Sequence, residues 1–457
     1  MENLLQNLLS AEALAKNFDE SRPSFNAQEA LDEAHRCLYC YDAPCIKACP
    51  TGINIPSFIK KIASGNLKGS ATTIMEANPV GASCSRVCPT EELCEGACVL
   101  NHVTKPIMIG DLQRFATDWS IKNEKVLFKA GEKNGKKIAI VGSGPAGLSS
   151  ARELGLLGYD VTIFESKAEA GGLDTHGIVP FRLPKDISLW EVKQVADLGV
   201  KIHTNTEVGK DVSAADLMSD YDAVILAAGM SKVPMLGIEG EELSGIYDAI
   251  DLVEEAKNER YTTAFIGKRV AVIGAGNTAI DGATTAVRLG AENVKILYRR
   301  TEAEMSAYDF EYEFAKQEGV EFRWLVAPKR LIGDENGRIR QMECVRMKLQ
   351  SAGSDGRARP VQIEGSEFLM DVDIVVKAIG QTRHQQLIDA FGLEHHGGVV
   401  KVDSETFLTS HPKVYAAGDV VFGKGIGEAM VVTAAQQGKE TAYAVHQQLK
   451  ETETAHV

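Results

Sequence analysis

The chain has 457 residues, 44% of them hydrophobic and 25% charged, with a formal net charge of −14. That length exceeds what one core holds, so about two to four domains are expected. The acid excess argues against a nucleic-acid surface, and no apolar run approaches the roughly 18 residues of a membrane span. The opening MENLLQNLLSAEALAKNFDE lacks the basic and then apolar pattern of a secretory signal, which reads as a cytoplasmic protein.

Residues 1–125 hold eight of the nine cysteines, in two runs. The first is Cys37-x2-Cys40-x4-Cys45-x3-Cys49-Pro50; the second is Cys84-x3-Cys88-Pro89-x4-Cys94-x3-Cys98. Clustered cysteines in a cytosolic chain indicate a metal or redox cofactor before disulfides. Close thiolate spacing that ends in Cys-Pro is similar to ferredoxin runs. Structural zinc usually takes two separated CxxC pairs, and only Cys37 and Cys40 form one. Two [4Fe–4S] clusters are therefore expected in a small helical module, ahead of zinc or disulfides. Eight cysteines serve two clusters evenly, and spacing alone does not assign them. By its surroundings Gln113 is an ordinary polar helix residue.

A charged, glycine-containing stretch at 121–137 reads as a linker. The apolar run Ile138–Val141 then leads into Gly142, Ser143, Gly144, Pro145, Ala146 and Gly147, and a helical segment follows. Eighteen residues past Gly147, at the end of a second apolar run, stands Glu165. This is the dinucleotide fingerprint of a βαβ unit. Its glycines permit the turn, the approach of a pyrophosphate and close helix packing. The helix N-terminus faces the phosphates, and Glu165 is placed for a ribose hydroxyl. Gly171-Gly172-Leu173 suits a chain passing close to a bulky cofactor. GVKIHTNTEV and AVILAAGM read as strands. Late in the chain, Asp419 follows an apolar strand and an Ala-Ala-Gly turn. An acid there reads as a flavin ribityl contact, with a helix cap as the plain alternative.

A second unit starts at Arg269, with Gly274, Ala275, Gly276, Asn277, Thr278 and Ala279 forming the alanine variant of the fingerprint. Its second strand ends in Arg299-Arg300. Paired arginines suit the extra phosphate of NADP, and equally suit surface cations beside the adenosine. Ala378, Ile379 and Gly380 form the turn that leaves this unit. Two fingerprints, with the second half of the flavin fold returning after the nicotinamide unit, imply an insertion. The fold class is thus an α/β flavoprotein with two Rossmann-like dinucleotide-binding domains, one inserted in the other, behind an N-terminal α-helical bis-[4Fe–4S] domain. The expected divisions are 1–125 for iron–sulfur, 126–255 and 384–457 for FAD, and 256–383 for NAD(P). Outside the N-terminal module no CxxC exists, and Cys344 reads as a buried small apolar residue.

With these residues assembled, the chain from about residue 25 onward resembles a known family. That family contains the small subunit of glutamate synthase and the N-terminal half of dihydropyrimidine dehydrogenase. RCLYCYDAPCIKACPTGINIPSFI, SRVCPTEELCEGACVL and GLDTHGIVPFRLP lie nearer the dihydropyrimidine enzymes. Because the sequence stops at 457, it looks like the separate flavin/iron–sulfur subunit of the bacterial NAD-dependent enzyme, the pyrimidine-binding FMN barrel being a second polypeptide. The resemblance implies one cluster on Cys37, Cys40, Cys45 and Cys98. It implies another on Cys49, Cys88, Cys94 and, within an intact PI-x-IG-x-LQ frame, Gln113; Cys84 is then a bystander. FAD contacts are implied for Ser143 to Gly147, Glu165, Leu173, Arg182, Val208 and Asp419. Dinucleotide contacts are implied for Ala275 to Thr278, Arg299, Arg300 and Ala378 to Gly380, with NADH or NADPH left open. The expected activity is electron input: NAD(P)H is oxidised at FAD, and single electrons pass through the clusters to the FMN-containing partner, which reduces uracil or thymine. The alternatives are a glutamate synthase small subunit or a related ferredoxin-type oxidoreductase, and a zinc-bearing scaffold without turnover.

Overall fold

The computed structural model describes residues 11–454 apart from 231, 353–357 and 424–428. The chain divides into two compact units, and each is built around a parallel five-stranded sheet.

The larger unit comprises Arg22–Thr175, Arg182–Met230 and Arg383–Val457. It begins with short helices, Ala27–His35, Pro44–Ala48, Ile55–Ala63, Leu67–Ala77, Gly81–Val87 and Ile109–Lys122. Asparagines start three of them. Asn26 forms a capping box with Glu29, and Asn54 and Asn66 each accept a first-turn N–H. Phe58, Ile59, Ile74 and Leu112 are fully buried where these helices meet, and Cys98 joins the same cluster. Ahead of the sheet, 123–136 carries no regular element.

In that sheet Lys137–Val141 is central, between Asp160–Phe164 and Ala223–Leu226; Lys201–His203 and Val414–Ala416 form the edges. All pairings are parallel. The central strands are apolar almost without interruption because both faces are covered. The long helix Val431–Thr454 packs against the fingerprint helix Pro145–Leu156 so closely that a Cβ at Gly438 would lie 2.1 Å from Ala146 O.

The smaller unit comprises Met1–Ser21, His176–Phe181 and Ser231–Thr382. Its sheet centres on Arg269–Ile273, between Ile374–Lys377 and Asn293–Tyr298, with Ile246–Asp248 and Glu321–Trp324 at the edges. A second, antiparallel sheet pairs the long strand Ile339–Ala352 with Val326–Gly333, Ala358–Gln362 and Phe368–Asp371. Cys344 is fully buried in it, and burial pushes its thiol up to about 12.

This division differs from the boundaries read off the sequence at three places, the residues before 22, the short segment His176–Phe181 and the stretch 231–255, all of which fall in the smaller unit. The helix Ala11–Asn17 groups with the smaller unit rather than with the cysteine-rich module, because Phe18 is buried against Phe181 and stacks on Tyr261 at 4.8 Å. The segment before 256 also belongs there, since Ile246–Asp248 pairs with Ile374–Lys377.

Candidate functional site

The first fingerprint loop is built on backbone room. Gly142 has φ +99°, and a Cβ there would lie 2.5 Å from Ala227 O. A Cβ at Gly147 would lie 2.1 Å from Gly142 O, which keeps helix and strand together. Gly144 is the N-cap of the helix, and Pro145 fills its first turn, where no N–H is needed. Facing it is Gly172, at φ +58°, where a Cβ would come within 2.5 Å of Gly144 Cα. These two backbones therefore pack directly against each other, which a side chain at Gly172 would prevent.

Glu165, at the end of its strand, is 7% exposed and already engaged by the protein. One carboxylate oxygen accepts from Ser143 N at 3.1 Å and Ser143 Oγ at 2.6 Å, and the other accepts from Lys167 N at 2.8 Å. Ser143 Oγ accepts in turn from Gly171 N at 2.9 Å. The acid read as a ribose acceptor therefore also braces the phosphate loop and ties it to the double glycine; its further lone pairs leave room for both roles. Leu173 opens the short helix Leu173–His176, Arg182 is half-buried and Val208 is buried. Asp419 lies in the turn Gly418–Val420, held where Gly418 N donates to Gln437 Oε1 at 2.9 Å. Burial raises the Asp419 carboxyl, opposed by the nearby Arg383 guanidinium.

The second fingerprint repeats the construction. Gly274, at φ +128°, would place a Cβ 2.2 Å from Ala378 O, so the turn Ala378–Gly380 lies directly against the glycine loop. Gly276 caps the helix Asn277–Arg288, and Ala279 is fully buried beneath it. Thr278 is half-buried, and Ile379 is exposed. Arg299 is exposed just past its strand, while Arg300 Nε donates to Ala358 O at 3.1 Å. Two features here escaped the sequence reading. Ser306 N and Ala307 N donate to Ala275 O at 3.3 and 3.2 Å, and Tyr308 N donates to Asn277 Oδ1 at 3.2 Å. The loop after the arginine pair thus folds back over the fingerprint. Below it, buried Lys377 pairs with Asp248 at 3.0 Å and Glu241 at 3.2 Å.

In the N-terminal module, Cys37, Cys40, Cys45 and Cys98 line one cavity, closed on the inside by Ile59 and Ile109. Tyr39 and Ala43, both at positive φ, bend the chain around it. Cys94 is half-buried, with Glu95, Cys88, Cys49 and Cys45 as electrostatic neighbours. Gln113 is 7% exposed, and its Nε2 donates to Gly81 O at 2.7 Å. Cys84 is 2% exposed in the apolar cluster beneath the sheet of the larger unit, with Val80, Ile138 and Ala146.

All nine cysteines are free. Among the described residues, no three His, Cys, Asp or Glu side chains close on a single ion-sized point. The four-cysteine cavity instead suits a group that spreads its thiolates around several irons. Burial pushes the Cys37 and Cys94 thiols up and Cys45 to about 11. Unassisted, these groups hold their protons; bound metal ions would supply the positive charge that makes thiolates stable there.

Residues 14–125 match the family described as dihydropyrimidine dehydrogenase domain II, 4Fe–4S cluster, and residues 136–438 match pyridine nucleotide-disulphide oxidoreductase. The chain belongs to the pyridine nucleotide-disulphide oxidoreductase family. It is 34% identical to the glutamate synthase (NADPH) small chain of Escherichia coli, over 93% of this chain and 92% of that one. It is 34% identical to the NAD-dependent dihydropyrimidine dehydrogenase subunit PreT of Salmonella typhimurium, over 95% and 97%. Identity reaches 38% with the NADP(+)-dependent formate dehydrogenase subunit beta of Moorella thermoacetica, where 90% of this chain spans 61% of the relative's length. Mycobacterium tuberculosis FprA in complex with NADPH shares the fold, with a TM-score of 0.59 at 22% identity over 70% of this chain and 86% of that one. This family member is an NAD(P)H-dependent flavoprotein oxidoreductase with FAD and 4Fe–4S clusters. Among the described residues no helix is long and apolar enough to cross a membrane.

Proposed function

We propose that the chain is the electron-input subunit of an NAD-dependent dihydropyrimidine dehydrogenase. The chemistry supplied by its bound groups is the conversion of an electron pair, delivered as hydride from NAD(P)H, into single electrons. In this reading the second fingerprint, with Gly274, Gly276 and the turn Ala378–Gly380, holds the nicotinamide dinucleotide. The first, with Ser143, Gly144, Glu165, Gly172 and Asp419, holds FAD. Cys37, Cys40, Cys45 and Cys98 hold one cluster; Cys49, Cys88, Cys94 and Gln113 hold the other. No acid or base of this chain is needed for hydride transfer. The proton and electrons that complete the dihydropyrimidine are joined on an FMN-containing partner subunit.

The observation that carries the reading is the four-thiol cavity. It reaches the surface beside Leu38 and Val99, which are exposed, as are Tyr41 and Val103. A cluster there lies within reach of an acceptor that the chain does not itself contain. The dihydropyrimidine assignment is supported by the match of residues 14–125 and by the extent of the PreT similarity. The small chain of glutamate synthase is as similar and supports the second reading, a different large partner.

The test is capture of the native complex, followed by NADH and NADPH oxidation with uracil added. Uracil-dependent oxidation with an FMN-bearing partner is expected. A partner of glutamate-synthase size selects the second reading. Failure to oxidise either coenzyme, even with an artificial dye, sinks both.

A further inference from the structure

The stretch from Glu76 to Ser83 turns the chain from the helix Leu67–Ala77 into the helix Gly81–Val87. Side chains from the flavin-binding fold hold it at both ends. At its start, Arg152 Nη2 donates to Glu76 O at 2.8 Å, and Lys439 Nζ donates to Ala77 O. Both acceptors are last-turn carbonyls of a helix, which lack intrahelical partners and favour a cation. At its end, one carboxyl oxygen of Glu191 accepts from Ala82 N at 2.7 Å and Ser83 N at 3.0 Å, and the other pairs with Ser83 Oγ. Arg152 and Glu191 are 4% and 1% exposed, so these bonds are sheltered from water.

Between the two grips lies Gly81, whose carbonyl takes the Gln113 amide nitrogen. With Nε2 committed to Gly81, the amide plane is fixed and Oε1 is the end left for a ligand bond. A Cβ at Gly81 would press on Ile74 Cγ2 at 2.8 Å, so the carbonyl has little freedom to be re-aimed. Lys439 also interacts electrostatically with Cys49. Cluster potentials respond to net charge and to the hydrogen bonding of the ligands. A neutral amide ligand depends on aim more than a thiolate does.

We propose that Glu191, Arg152 and Lys439 are positioning residues for Gln113. They clamp Glu76–Ser83 from the flavin-binding fold, so that the amide oxygen meets the cluster of Cys49, Cys88 and Cys94 in one orientation and that cluster's potential is set from the flavin side. The inference rests on the ligand set proposed above.

The test uses the full chain with its cofactors, measuring iron, flavin and an EPR-monitored redox titration of both clusters. Glu191→Ala is expected to shift the midpoint and signal shape of one cluster only, with iron and flavin at wild-type levels. Glu191→Gln, which keeps an oxygen for the two N–H groups, restores both. Lys439→Met shifts the same cluster, and replaces Glu191→Ala if that variant does not fold. Unchanged potentials in Glu191→Ala and Lys439→Met overturn the clamp, as does an equal shift of both clusters. Gln113→Ala separates the two layers. If it alters one cluster while the clamp variants alter none, the clamp falls alone. If it alters neither, the ligand set falls and takes the clamp with it.

Discussion

Ser143 gives Glu165 two hydrogen bonds, from its N–H at 3.1 Å and its hydroxyl at 2.6 Å, both to one carboxylate oxygen. The phosphate loop is therefore shaped by the same acid that reads as the ribose contact. Glu165→Ala removes the brace and the acceptor together. Hydrogen bonds to a charged group contribute about 1.5–3 kcal/mol each, so FAD should be held roughly 10- to 100-fold more weakly. Ser143→Ala, which keeps the N–H bond, should cost about tenfold or less. Flavin release on dilution, followed by fluorescence, checks both values.

The two cysteine groups differ in what a single loss does. Cys98→Ser takes a thiolate from the four-cysteine cavity and is expected to lower iron to about half, one of two clusters. Cys84→Ser should retain both clusters, because Cys84 belongs to neither proposed ligand set and meets Cys88 through a side-chain hydrogen bond that a serine hydroxyl can keep; its cost is stability, about 1–3 kcal/mol for a buried hydroxyl. Iron per chain settles the assignment. Full iron in Cys98→Ser, or half in Cys84→Ser, refutes it.

Arg299 is exposed at the end of its strand, whereas Arg300 is tied through Nε to Ala358 O. The looser arginine is the better placed to pair with an added phosphate. Arg299→Ala should lower kcat/KM for NADPH about tenfold, the equivalent of about 1.4 kcal/mol for one charge-assisted contact, with NADH little changed. Equal losses for both coenzymes contradict a role in phosphate selection.

Burial pushes the Glu191 carboxyl up to about 8, against the lowering pull of the Ser83 and Ala82 donors, with Asp174 adding to the rise. The unfolded chain releases this proton near pH 4.5, the folded chain near 8. The folded state thus binds more protons across that window, and the contribution of Glu191 to stability falls as pH rises from about 4.5 to about 8. Thermal midpoints at a fixed scan rate should decline through this range in the wild type and less steeply in Glu191→Gln. Equal slopes would refute the assignment.

Lys377 is buried against Glu241 and Asp248. Lys377→Met leaves two carboxylates without their cation and should destabilise the smaller unit by about 3–5 kcal/mol. A clear drop in its denaturant midpoint is the expected reading; no drop places the pair among ion pairs of negligible worth.

What the sequence determined by itself is local. Both glycine loops, the strands leading into them, Glu165 and the helical cysteine module follow from short-range rules, because a tight turn or a capped helix needs particular residues at fixed offsets. The alternation in the strand around Cys344 was also present to be read, and its antiparallel sheet was missed. Tertiary structure decided the rest. It brought Cys98 to Cys37, Cys40 and Cys45 across some 50 residues, as a spacing pattern alone does not. It joined Phe18 to the smaller unit, and it set Glu191, Arg152 and Lys439 around one turn of the cysteine-rich module. Such pairings depend on which buried donors and acceptors lack a local partner once the chain has folded, and that shortage arises only when distant segments exclude water together.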